Sequence, residues 1–115
     1  MGPYEQAIEI NGFIYTAGQI AVNPKTKKLI SGTVKDETIQ SLNNLDAILR
    51  ILGVDKSNIV KITVFITEFS QFNDVNEAFL SFFDNHEFPA RSTVGVSALP
   101  MGAKVEIECI AYIDK

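Results

Sequence analysis

The stretch Val105 to Ile113, VEIECIAYI, constrains this chain more than any other segment because it alternates so strictly. Side chains of a strand point to opposite faces in turn. One face of this strand therefore carries Val105, Ile107, Cys109 and Ala111, and belongs in a core. The other carries Glu106, Glu108, Ile110 and Tyr112. A second run, Asn58 to Thr67, has the same character, with Val60, Ile62, Val64 and Ile66 opposite Lys61, Thr63, Phe65 and Thr67. A sheet built on such strands has one apolar face and one mixed face.

The remaining segments supply its partners. Gln6 to Ile10 and Phe13 to Ala17 flank Asn11-Gly12, a hairpin signal because both turn residues must tolerate positive φ. Asn23-Pro24 and Ser31-Gly32 read as turns. Asp36 to Leu52 is helical by period, with Ile39, Leu42, Leu45, Leu49 and Leu52 on one stripe and Gly53 as the stop. A second helix is expected from Phe72 to Asn85, presenting Phe72, Val75, Phe79, Phe82 and Phe83. Phe88-Pro89 ends that pattern, and a strand follows from Ser92 to Ala98. The order β-β-α-β-α-β-β over a single domain, residues 1–115, implies an α+β sandwich, a sheet with two helices on one face. No third layer is left for the other face, with its Phe65, Ile110 and Tyr112. A second subunit is the simplest cover.

Charge narrows the choice of partner. Ten basic residues against fourteen acidic ones give a net charge of −4, which disfavours nucleic acid because backbone binding relies on clustered Lys and Arg. The one basic cluster, Lys25, Lys27 and Lys28, falls in an expected turn. A single Cys and a single His make neither an internal disulfide nor a Cys/His zinc site. The first residues, MGPYEQAIEI, lack the pattern of a signal peptide, and no apolar run reaches membrane-spanning length. The expected location is the cytoplasm.

Arg91 is the most suggestive side chain for chemistry. It follows the rigid Phe88-Pro89-Ala90 approach, and its planar guanidinium can hold a carboxylate by two parallel hydrogen bonds. From position alone, a structural ion pair is the commoner role. Glu106 and Glu108 share a strand face, where paired acids are usually solvated or salt-bridged, although either could hold a water as a general base. Cys109 lies on the core face and reads as an inert buried thiol. His86, near the end of the second helix, is assigned no catalytic role. Asn76, on the edge of the phenylalanine stripe, needs partners for its amide, most simply backbone groups. Tyr4 could close over a small site or merely pack a chain end, and Gly18-Gln19 could offer a backbone N–H to an anion.

Taken together, GPYEQAIEINGFIYTAGQIAVNPKTKKL, QSLNNLDAILRILG, IVKITVFIT, VNEAFLSFF, FPARSTVGVSALP and KVEIECIAYI resemble the Rid family (YjgF/YER/UK proteins) over essentially the whole chain. The resemblance implies a chorismate-mutase-like fold, a homotrimer, and sites in the clefts between subunits. It implies hydrolysis of reactive 2-imino acids, 2-iminobutanoate and 2-iminopropanoate, to 2-keto acids and ammonia, with no metal or organic cofactor, in the service of detoxification and amino-acid metabolism. By the same resemblance, Arg91 clamps the substrate carboxylate and Glu106 holds the attacking water. Tyr4 and Asn76 line the cleft, and Gly18 lies beside the substrate. Two positions depart from the pattern: Ala17 stands where many members carry Ser, and Thr93 where many deaminases carry Cys. Two other readings stay open. One is a single-strand endoribonuclease or translation inhibitor, and the other a non-enzymatic regulatory trimer that binds a small carboxylate.

Overall fold

The computed structural model describes residues 3–84 and 87–115. Its strands are β1 (Ala7–Ile10), β2 (Phe13–Thr16), β3 (Ile59–Ile66), β4 (Ala90–Gly95) and β5 (Val105–Tyr112). They form one sheet in the order β1-β2-β5-β3-β4. Pairing is antiparallel except between β3 and β4, which run parallel because helix α2 (Phe72–Phe82) carries the chain across between them. Helix α1 (Val34–Ile51) packs across β5 and alongside α2. Asn11 and Gly12 make the β1–β2 turn with φ of 52° and 84°, as the sequence requires.

The core lies between the sheet and the two helices. Ile62, Ile66, Val105 and Ile107 meet Leu42, Leu45 and Leu49 of α1 and Val75, Phe79 and Phe83 of α2. Each such side chain, once buried, is worth about 1.5–3 kcal/mol against exposure. Of the expected α1 stripe, Leu42, Leu45 and Leu49 are fully buried, whereas Ile39 is half-buried and Leu52 exposed. Leu52 caps the helix and lies past the last packed turn, which explains the difference.

Several boundaries differ from expectation, each for a local reason. Helix α1 begins two residues before Asp36, because Thr33 and Asp36 form a capping box. Thr33 Oγ1 accepts the Asp36 N–H at 3.1 Å, and Asp36 Oδ2 accepts the Thr33 N–H at 3.0 Å. A register shift between Ile59 and Lys61 places Ile59 in the core and leaves Val60, expected there, half-buried. Strand β4 starts at Ala90 rather than Ser92 and ends at Gly95 rather than Ala98. Helix α2 ends at Phe82, short of the expected Asn85, which like His86 lies outside the described residues.

The far side of the sheet carries no helix. Phe65, Ile110 and Tyr112 are half-buried there, while Ile8, Tyr15 and Val94 are exposed by 57%, 45% and 41%. Phe13 packs on Tyr112 with ring centroids 4.6 Å apart and the rings tilted by 43°. Among the described residues no helix is long and apolar enough to cross a membrane.

One buried charge ties the layers together. Glu37 of α1, 1% exposed, accepts the Lys104 backbone N–H at 2.9 Å and meets the Lys104 ammonium at 3.2 Å. The contact anchors the chain just ahead of β5 and so fixes where Glu106 begins. Glu37→Ala strands a backbone N–H and should lower stability by about 2–3 kcal/mol in urea unfolding at fixed protein concentration. Lys104→Ala, which keeps that N–H bond, should cost less than half as much. Equal losses would mean the ammonium, not the backbone bond, carries the contact.

Candidate active site

Strand register sorts the candidate residues onto two opposite faces of the sheet. Arg91 pairs with Ile62 and Thr93 with Val64, whose side chains lie under the helices. Arg91 and Thr93 therefore face the α2 side. Glu106 pairs with Phe65 and Glu108 with Thr63, on the helix-free side.

On the α2 side, Arg91 is held in place from three directions. Its Nη2 donates to Asn76 Oδ1 at 2.6 Å. The guanidinium carbon lies 5.2 Å from the Phe72 ring centroid and 4.7 Å from that of Phe79, within cation–π range. The expected backbone partner of Asn76 is thus replaced by a side chain, because one turn of α2 sets Asn76 between Phe72 and Phe79 and above β4. Among the described residues no carboxylate pairs with Arg91. Partial burial lowers its pKa from the ordinary arginine value, yet a guanidinium stays charged. A cavity of about 280 Å³ opens here, lined by Asn76, Phe79, Leu80, Phe88, Pro89 and Arg91. The structure is thus a fixed, unneutralised cation at the wall of an apolar cavity.

On the other side, Gly18 follows β2 and abuts Glu106. A Cβ at Gly18 would sit 2.8 Å from the Glu106 carboxyl carbon and from its Oε2, so only glycine leaves that carboxylate its place. Burial raises the Glu106 pKa above the ordinary carboxylate value, and the negative charge of Glu108 raises it further. A carboxylate with raised proton affinity is the better general base. Tyr4, Gln6, Gly18, Gln19, Ile20, Val22, Lys27 and Met101 surround a cavity of about 320 Å³ beside it. Ala17 also lies here, its N–H donating to the Gln6 carbonyl at 2.8 Å.

Cys109 lies on the core face, 4% exposed. Burial pushes its thiol up to about 11, against a hydrogen bond with Thr16 that lowers it, as befits an unreactive side chain. No group of three His, Cys, Asp or Glu side chains among the described residues is placed to hold a metal ion.

The structure therefore gathers Asn76, Arg91 and Thr93 on one face, and Tyr4, Ala17, Gly18 and Glu106 toward the other. Sequence reasoning does not single out the Phe72 and Phe79 rings that flank Arg91, nor Met101. The phenylalanines read as core by their helical period, and the segment around Met101 carries no pattern that points to a site.

Known proteins resemble this chain in sequence and in fold. The family model described as Endoribonuclease L-PSP matches residues 1–113. Human 2-iminobutanoate/2-iminopropanoate deaminase is 42% identical over 111 residues, covering 96% of this chain and 80% of its own. The solved structure of YyfA, a protein of the Rid family from Yersinia pestis, is 49% identical with a TM-score of 0.93, covering 97% of this chain and 89% of that one. E. coli TdcF with bound serine is 41% identical with a TM-score of 0.91, again covering 97% and 89%.

The raised proton affinity of Glu106 has a direct spectroscopic test. In ¹³C-detected titration its carboxyl should have a midpoint above the ordinary glutamate range. Removing the like charge with Glu108→Gln should move that midpoint down toward the ordinary value, without abolishing the shift due to burial. A midpoint unaffected by Glu108→Gln would show that the two carboxylates do not interact. By its sequence and its fold, this chain belongs to the L-PSP endoribonuclease (YjgF/Rid) family.

Proposed function

We propose that this protein is an imine deaminase that hydrolyses small 2-imino acids such as 2-iminobutanoate and 2-iminopropanoate, in clefts between the subunits of a homotrimer. The observation that carries this reading is Arg91. A guanidinium fixed by Asn76 and two aromatic rings, with no carboxylate partner among the described residues, is preorganised for the carboxylate of a ligand. That a relative binds serine and another is named for imine deamination is consistent with a small α-substituted carboxylate as ligand.

The chemistry asks little of the protein. With the carboxylate on Arg91, the C=N carbon of the protonated imine is already electrophilic. Glu106 accepts a proton from a water as its oxygen bonds to that carbon, giving a tetrahedral amino alcohol. Proton transfer to nitrogen, loss of ammonia and formation of the C=O bond then yield the 2-keto acid. Positioning and one proton acceptor supply the catalysis.

The same geometry supports the proposed assembly. Arg91 and Glu106 lie on opposite faces of one sheet, so one chain does not bring them to one substrate. A site that uses both therefore needs a second copy whose Arg91 edge meets the first copy's helix-free face. That face also carries exposed Ile8, Tyr15 and Val94, an edge-rich apolar surface that calls for a cover. The endoribonuclease reading fares worse, since the chain carries a net charge of −4 and Glu106 and Glu108 add negative charge to the helix-free face, neither of which favours a phosphate backbone. A non-enzymatic carboxylate-binding trimer would use Arg91 equally well but gives Glu106 no task.

Sedimentation equilibrium should give about three times the 12.7 kDa chain mass. Arg91→Ala should remain an oligomer yet lose about 2 kcal/mol or more of transition-state stabilisation, roughly thirtyfold in kcat/KM. Arg91→Lys should restore little, because a point charge lacks the fork. A soluble Arg91→Ala oligomer with the wild-type rate would overturn the reading.

A further inference from the structure

Met101 is the residue whose placement the fold explains least. It sits between Pro100 and Gly102 with φ 58° and ψ 19°, a left-handed conformation that a side-chain-bearing residue adopts at a cost. It is also 56% exposed, so core packing does not repay that strain. Strained positions of this kind collect at ligand sites. Met101 borders the cavity that also takes in Tyr4, Gly18, Ile20 and Val22.

We propose that this cavity receives the aliphatic side chain of the 2-imino acid, with Met101 as its adjustable wall, so that the protein favours substrates larger than 2-iminopropanoate. The inference rests on the deaminase reading above and adds the substrate class to it. Gly18 is shared between the cavity wall and the Glu106 contact, which sets the cavity next to the carbon that a Glu106-held water would attack. With the carboxylate drawn toward a neighbouring copy's Arg91, the remaining substituent on that carbon points inward.

The lining suits such a group. Ile20 and Val22 supply aliphatic surface and are held by Asn44 of α1, whose Nδ2 donates to the Ile20 carbonyl at 3.2 Å and the Val22 carbonyl at 2.9 Å. The Gln6 and Gln19 amides bond each other at 2.8 Å, which lessens the polar cost of an apolar occupant. Lys27 is exposed and leaves its charge to solvent. A thioether on a three-torsion chain can fold onto side chains of different shape.

The test compares 2-imino acids released in situ by an L-amino-acid oxidase acting on alanine and on leucine. The wild-type protein should show a kcat/KM at least roughly fivefold higher for the leucine-derived imine, the scale a few extra methylenes allow. Met101→Gly suits the left-handed backbone and should fold, yet should reduce that ratio about threefold or more by removing the wall. A ratio unchanged by Met101→Gly, with both imines still hydrolysed, overturns the side-chain pocket and leaves the deaminase reading standing. Loss of the ratio in Leu80→Ala instead would put the side chain beside Arg91 and also overturn the proposal. Hydrolysis of neither imine by the wild type removes the deaminase reading and this inference together.

Discussion

The five strands are joined in an order that brings their apolar faces into one surface, and the chain has helices enough to cover only that surface. Ile14, Ile62, Val64, Ile107 and Ala111 disappear beneath α1 and α2. The reverse face keeps a mixture of rings, β-branched residues and acids, because alternation along a strand gives neither face up entirely. The rest of the structure follows from that imbalance. The helix-covered side offers rigid support for a positioned cation, and the bare side offers a surface that a second copy can share with a carboxylate.

Arg91 and Glu106 illustrate how each side uses its surroundings. On the α2 side, the Phe72 and Phe79 rings, two helical turns apart, lie close enough to Arg91 to hold its charge without neutralising it, and Asn76 accepts a hydrogen bond from its guanidinium. On the other side, glycine at position 18 lets backbone approach Glu106 closely, and burial with a like-charged neighbour raises its proton affinity. The first environment suits a substrate carboxylate, and the second a proton acceptor. The Glu37 contact to Lys104, just before β5, links the packing of α1 to the placing of that acceptor.

Much of this was legible in the sequence. The period-two pattern of Val105 to Ile113 and the Asn11-Gly12 turn fixed strands and hairpin, and the leucine spacing fixed α1. Local detail escaped where a short-range interaction outweighed pattern: the Thr33–Asp36 box moved the start of α1, and the irregularity after Ile59 exchanged it for Val60 in the core. Arg91, Glu106 and the glycine between β2 and the cavity were visible as residue types in a family pattern. Their separation onto two faces was not, because it depends on the parallel pairing of β3 with β4, and strand order is not written in any one segment. Met101 was hidden for the same reason, since its neighbours Tyr4 and Gly18 are distant in sequence.

The proposed cleft unites two faces that no single chain brings together, and mixed oligomers test this most directly. Arg91→Ala and Glu106→Gln chains would each be assayed alone, then unfolded together in equal amounts and refolded as a mixture. Each variant alone should be nearly inactive. In the mixture, about a quarter of the clefts should pair an intact Arg91 from one chain with an intact Glu106 from another, and activity should return to about that fraction of wild type. A refolded mixture no more active than its two components would contradict a site shared between subunits.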